Sequence, residues 1–219
     1  MDGFMAVVTH GGKATLPLDV LLGLSLLAAA PFILVMTTSF VRIVVVLSLV
    51  RSAIGAQSLP PNTVLTGLAL VLTFITMAPT LQAISHDALE PYAKGRIAQA
   101  ALIERGSGPL RAFMLRQTRS RDLTLFARAA NVPAAGPAGL PVYVLIPAFV
   151  VGELRSAFAI GFALYLPFVA IDLAVASILM GLGMFMLSPP VISLPCKLLL
   201  FVMVDGWALV CGNLVASFR

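Results

Sequence analysis

Glu153, Arg155, Asp172, Lys197 and Asp205 interrupt an otherwise apolar C-terminal region of this chain. A charge at the centre of a bilayer costs at least ~2.5–3.5 kcal/mol, so such groups must pair, or face water or protein. Asp172 and Asp205 are the residue types an intramembrane hydrolase would need as a pair, but neither carries a recognisable flanking signature. Asp172 and Lys197 are more informative, because they are equidistant in sequence from the midpoint of Met184 and Phe185. If the chain folds back there as an antiparallel hairpin, the two reach one depth, up to ~19 Å from the tip when both arms are helical. Opposite charges at matched depth in apolar walls attract. They either fix the register of one hairpin or join neighbouring subunits, and the spacing satisfies both.

The turn itself is the second chemical feature. Met184, Phe185 and Met186 follow Gly181 and Gly183 and precede Pro189 and Pro190. Glycine loosens a helix and a pair of prolines cannot continue one, so the Met-Phe-Met run lies at or beside a turn. Thioether side chains repack readily. Such a run suits either a packed helix end or a constriction that seals and then yields.

Other chemistries find little support. His10 and His86 stand in separate polar regions, no Gly-rich Lys-Ser/Thr loop is present, and the serines lack a nucleophile elbow. The expectation is no catalytic residue, no cofactor, no metal site and no enzyme. Cys196 and Cys211 are fifteen positions apart, ~22 Å on one helix, too far for a disulfide, and further metal ligands are missing. A third class, the small-solute transporter, would predict an internal duplication, and none is visible. Only 11% of residues are charged and 60% are apolar, against about 25% charge in a soluble domain, so the chain is a membrane protein or buries nearly everything against partners. Of the net charge of +5, +4 lies between His86 and Arg128, without the aromatic interleaving of a nucleic-acid surface.

Four parts must position these residues: a short polar leader (1–17), an N-terminal apolar helical hairpin (18–85), a polar basic helical insert (86–141) and a C-terminal apolar hairpin with the Met-Phe-Met loop (142–219). Between Asp19 and Arg42 no charge occurs, and twenty-two helical residues span ~33 Å. This apolar pattern runs on to Val50. LLGLSLLAAAP also fits a signal peptide cut at Ala28-Ala29-Ala30, but the apolar run does not stop there, which favours a retained helix. Arg51 marks the end of the run, whereas Arg42 lies inside it and needs a partner or a wet groove. Gly55 and Pro60-Pro61 break the chain, Asn62 can cap the next helix, and residues 64–84 form that helix, interrupted at Pro79. Within the insert, 97–105 and 108–130 read as amphipathic helices, and 131–141 as a loop. Residues 142–181 form a third helical region, bent at Pro147 and Pro167, and 194–218 a fourth. The fold class is all-α, of integral-membrane type, with kinked helical hairpins.

Four long segments carry a family resemblance. MTTSFVRIVVVLSLVRSAIGAQSLPPNTVLTGLAL (36–70), PLRAFMLRQTRSRDLTLFARAA (109–130), IPAFVVGELRSAFAIGFALYLPFVAIDLAVASILMGLGMFM (146–186) and ISLPCKLLLFVMVDGWALV (192–210) resemble the FliP family of type III export-gate proteins, from about residue 17 onward. The resemblance implies a core pore-forming subunit of a protein export gate, assembled in a helical ring with further copies of itself and with FliQ-like and FliR-like chains. It also implies FlhA-like and FlhB-like membrane proteins as associates, unfolded export substrates as cargo, and the bacterial inner membrane at the flagellar basal body as location. The family's pore is closed by a methionine-rich loop, which falls here on Met184, Phe185 and Met186. Its charged positions fall on Glu153, Asp172 and Lys197, as a buried pair or a subunit contact.

Three features depart from the family pattern. The usual loop has three methionines, and Phe185 is stiffer than a thioether chain. Many flagellar members begin with a cleaved signal sequence, and here only a short polar leader precedes the first matching segment. The positive-inside rule would put the basic insert in the cytoplasm; the family places it on the far side of the inner membrane, and the family is followed. The run 109–130 looks flagellar, whereas the short leader looks like the injectisome branch, and the flagellar reading is favoured.

Overall fold

The computed structural model describes residues 18–56, 59–132, 136 and 139–218. The leader 1–17, with His10, and part of the 131–141 loop lie outside the described residues. All regular elements among the described residues are helical. The chain divides after Leu34, and α1 (Leu18–Thr37) runs across that boundary.

The second unit begins with α2 (Phe40–Ile54) and α3 (Asn62–Ile84). A π-helical turn, Ser85–Leu89, joins α3 to the short α4 (Glu90–Ala93). The insert holds α5 (Gln99–Gln117) and α6 (Ser120–Ala129). Then come α7 (Val142–Gly181), α8 (Pro189–Met203) and α9 (Gly206–Ala216).

Ile43, Val46, Leu47, Val50 and Ile54 recur at helical spacing along α2 and are buried against α3, α7, α8 and α9. β-Branched residues are only fair helix formers, so burial of this stripe, rather than propensity, holds α2 helical. Contact with α7 is close at Gly161, where an added Cβ would meet the Leu49 side chain, its Cβ at 3.1 Å. A second core, around Phe113, Met114, Leu123, Leu145 and Phe149, ties α5 and α6 to the start of α7.

Several boundaries differ from the sequence expectation. The first apolar run breaks at Thr38–Ser39 instead of continuing to Val50. The Thr38 hydroxyl competes for a backbone partner, accepting from Phe40 N, and Ser39 Oγ shares a 2.5 Å hydrogen bond with Thr76 Oγ1 of α3. Asn62 does not cap α3. Pro61 holds the cap position, and Asn62 Oδ1 instead accepts from Arg51 Nη1 at 2.6 Å. Helix α3 continues through Pro79, as apolar helices do when neighbours supply the packing. The insert breaks at Thr118–Arg119, not at Gly106–Ser107. Thr118 is extended (φ −96°, ψ 131°), which ends α5, and its Oγ1 donates to the Met114 carbonyl at 2.7 Å, satisfying one of the last carbonyls. Ser107 Oγ likewise satisfies the Glu104 carbonyl where a break was expected. The fourth region starts at Pro189 and splits into α8 and α9, which meet at 62°. Cys196 and Cys211 therefore stand on different helices, and both are free thiols.

Among the described residues, two helical stretches, Asn62–Ala93 and Val142–Gly181, are long and apolar enough to cross a membrane. There are four if the bent pairs Pro31–Thr37 with Phe40–Ile54 and Pro189–Met203 with Gly206–Ala216 each count as one span.

Candidate functional site: a hairpin tip and its charge pairs

Helix α7 and helix α8 are joined by a turn whose form follows from its glycine. Gly183 adopts a left-handed φ of 75°. Its N–H donates to the Met180 carbonyl at 3.1 Å, and Met184 N–H reaches back to Leu179 O at 2.9 Å. This Schellman arrangement satisfies the last carbonyls of α7. Pro189 and Pro190 then start α8, where a missing N–H costs nothing. The chain is thus forced outward over residues 184–188. Met184 is 46% exposed, Phe185 79% and Met186 fully exposed, so the last two stand clear of their own chain and Met184 is about half covered.

About 12–14 Å from the helix ends that flank this tip, Lys197 Nζ donates to Asp172 Oδ2 at 2.6 Å. Ser193, one turn before Lys197 on the same face of α8, donates to Asp172 Oδ1 at 2.6 Å. The Lys197 side chain is 9% exposed and that of Asp172 39%. Within this chain the pair therefore links the two arms of one hairpin.

Family comparison gives this geometry its context. The FliP family model matches residues 23–214. The chain belongs to the FliP family. A flagellar biosynthetic protein FliP of Pectobacterium carotovorum is 51% identical over 211 residues, covering 95% of this chain and 82% of the relative. The Caulobacter vibrioides protein of that name is 52% identical over 198 residues (90% and 74%), and the Bacillus subtilis one 46% over 199 residues (90% of each). Membership and the apolar helices together fit a membrane location.

Glu153, grouped in sequence with Asp172 and Lys197, lies apart from them in this FliP-family chain. It is nineteen residues before Asp172 on α7, ~29 Å along the axis. Its Oε1 accepts from Arg42 Nη2 at 2.5 Å, with the two side chains 0% and 6% exposed. Arg42 Nη1 also donates to Ser217 O and Oγ at 3.2 and 3.3 Å, and Nη2 to Gln117 Oε1 at 3.2 Å. Phe218 stacks on the guanidinium, 3.9 Å from its centroid. Two residues further along α7, Arg155 forms a fork with Asp122 of α6, at 2.8 and 2.9 Å. So α7 is held to α2 and to the insert at one level, by charges facing two directions.

Sequence pattern alone does not single out Ser193, Asp122 or Ser217, and it marks Gln117 only as part of a helical stripe. The i,i+4 spacing of Ser193 to Lys197 was the one local signal; the others are joined to their partners only by the fold. Asp172 and Asp205 do not converge. Asp172 is bound to Ser193 and Lys197, while Asp205 lies eight residues beyond Lys197, past the end of α8. Among the described residues, no three His, Cys, Asp or Glu side chains gather as metal ligands would. His86 meets Asp87 on an exposed surface.

Proposed function

We propose that this chain is a core pore-forming subunit of the flagellar type III protein export gate, passing unfolded substrates across the bacterial inner membrane. The observation that carries the reading is the tip. Three bulky apolar side chains stand exposed at the end of an apolar hairpin, in a chain whose cited FliP relatives are flagellar biosynthetic proteins. Apolar, flexible groups brought together around an axis exclude water and still give way to a passing polypeptide. The chain acts without catalysing a reaction. Its partners are further copies of itself and FliQ-like and FliR-like subunits in a ring, with FlhA-like and FlhB-like proteins alongside. The flagellar names of the relatives favour this system over the injectisome.

The test is co-expression with FliQ-like and FliR-like subunits and a triple Met184→Ala, Phe185→Ala, Met186→Ala variant. The assembled gate should admit ions or small solutes that the parent excludes. A variant gate that assembles normally and stays tight would return the three residues to ordinary packing.

A further inference from the structure

The corner between α8 and α9 is built on an unusual residue. Asp205 has φ 49° and ψ 52°, the left-handed region that non-glycine residues seldom occupy. It stands at the N-cap of α9, yet its carboxylate makes no cap hydrogen bond. Among the described residues it has no ion pair. Its carboxylate therefore anchors nothing within the described chain, whereas its backbone sets a corner. The next residue, Gly206, sits so close to the Phe201 ring that any Cβ would collide with it. Phe201 in turn packs edge-on against Trp207, with centroids 5.3 Å apart. Helix α9 therefore leaves at 62° and packs Val210 and Leu214 into the core around α2. At its far end, Ser217 accepts from Arg42 and Phe218 covers the guanidinium. Gln117 Nε2 donates to the Phe218 carbonyl at 3.3 Å, and the Phe218 ring stacks on Phe113.

We propose that Asp205 is a positioning residue that acts by backbone conformation rather than by charge: its left-handed corner aims α9 so that Ser217 and Phe218 close over the buried Arg42–Glu153 pair. Aspartate fits because its short polar side chain tolerates this region better than most. The inference is independent of the gate reading, since it concerns the folded chain alone.

A four-member series at position 205 separates conformation from charge, read as the folded fraction of the purified full-length chain in mild detergent. Asp205→Asn and Asp205→Gly keep the conformation and drop the charge; both should match the parent. Asp205→Glu keeps the charge on a residue less suited to the conformation, and Asp205→Val is the least suited. The valine variant should lower the folding equilibrium constant by roughly five- to thirty-fold, with glutamate between. A tolerated glutamate with a damaging asparagine would overturn the proposal in favour of a charge role. Four variants indistinguishable from the parent would overturn it too. The delivery step has its own reading. Phe218→Ala should cost much less in an Asp205→Pro background than in the parent, because a φ fixed near about −65° cannot keep the corner and Phe218 has already lost its seat. Full additivity of the two would refute the link between corner and pair.

Discussion

Replacing Arg42 by Met tests the buried pair most severely. Glu153 is wholly buried, and its Oε1 has Arg42 as its partner, while Oε2 has none among the described residues. Removing the guanidinium strands a carboxylate in the apolar interior. Breaking a buried pair from one side costs about 3–5 kcal/mol, against a total stability of order 5–15 kcal/mol for a folded domain. For a chain of this size each kcal/mol moves the unfolding midpoint by about 2–4 °C, so Arg42→Met should fall by roughly 6–20 °C. Glu153→Gln should be milder. The arginine it leaves still has Gln117 Oε1, the Ser217 carbonyl and the Phe218 ring. Removing both charges with Arg42→Met and Glu153→Leu should cost less than Arg42→Met alone, because no uncompensated charge remains. The assay is the loss of the monodisperse peak in fluorescence-detected size exclusion after a temperature series. An Arg42→Met variant within about 2 °C of the parent, or a double variant worse than both singles, would refute the reasoning.

The hairpin pair should respond asymmetrically in the same assay. Asp172→Asn strands a lysine that is 9% exposed, whereas Lys197→Met leaves a carboxylate that is 39% exposed and still held by Ser193, so the first should be the more damaging. The exchange Asp172→Lys with Lys197→Asp should recover part of the loss, and an exchange no better than the worse single variant would count against pairing. Gly161→Ala should destabilise by about 1–3 kcal/mol through collision with Leu49, while Gly67→Ala, with nothing within 4 Å, should be neutral or stabilising by up to about 1 kcal/mol. In a gate assembled with its partners, Phe185→Met should keep the closed state tight to small solutes and ease passage of substrate; a leak would show that ring bulk, not apolar character, makes the seal.

Local features of the fold were legible because they are written locally. The helix over 142–181 and the turn at 184–186 follow from apolar run length, glycine and proline. Helix ends were read less well. Helix α5 stops where Thr118 turns extended, a backbone choice that no residue type at that point announces, while the Gly106–Ser107 pair that reads as a stop is carried through. The partner of Arg42 could be anticipated as a need but not named, since Glu153 is 111 positions away. Asp122 and Arg155 gave no sign of each other for the same reason. Symmetry about the tip singled out Asp172 and Lys197, because a hairpin converts sequence distance into depth. Asp205 was noticed for its carboxylate, which is the part of it the fold leaves unused.

Helix α7 is also a mechanical member. It runs unbroken through Pro147 and Pro167 for 40 residues, ~60 Å, about twice the hydrocarbon thickness of a bilayer. Near one end Glu153 and Arg155 are clamped by α2 and α6; the other end carries the exposed tip. Phe168 is the last α7 residue in the core around α2, and from there to Gly181 the arm measures ~20 Å, so a tilt of about 5° carries the tip by ~2 Å. In the proposed gate, such a tilt would be felt first at the side chains of the tip. Pro167, one residue before Phe168, lacks the N–H of an internal helix bond, so the arm begins where the backbone ladder of α7 has a gap.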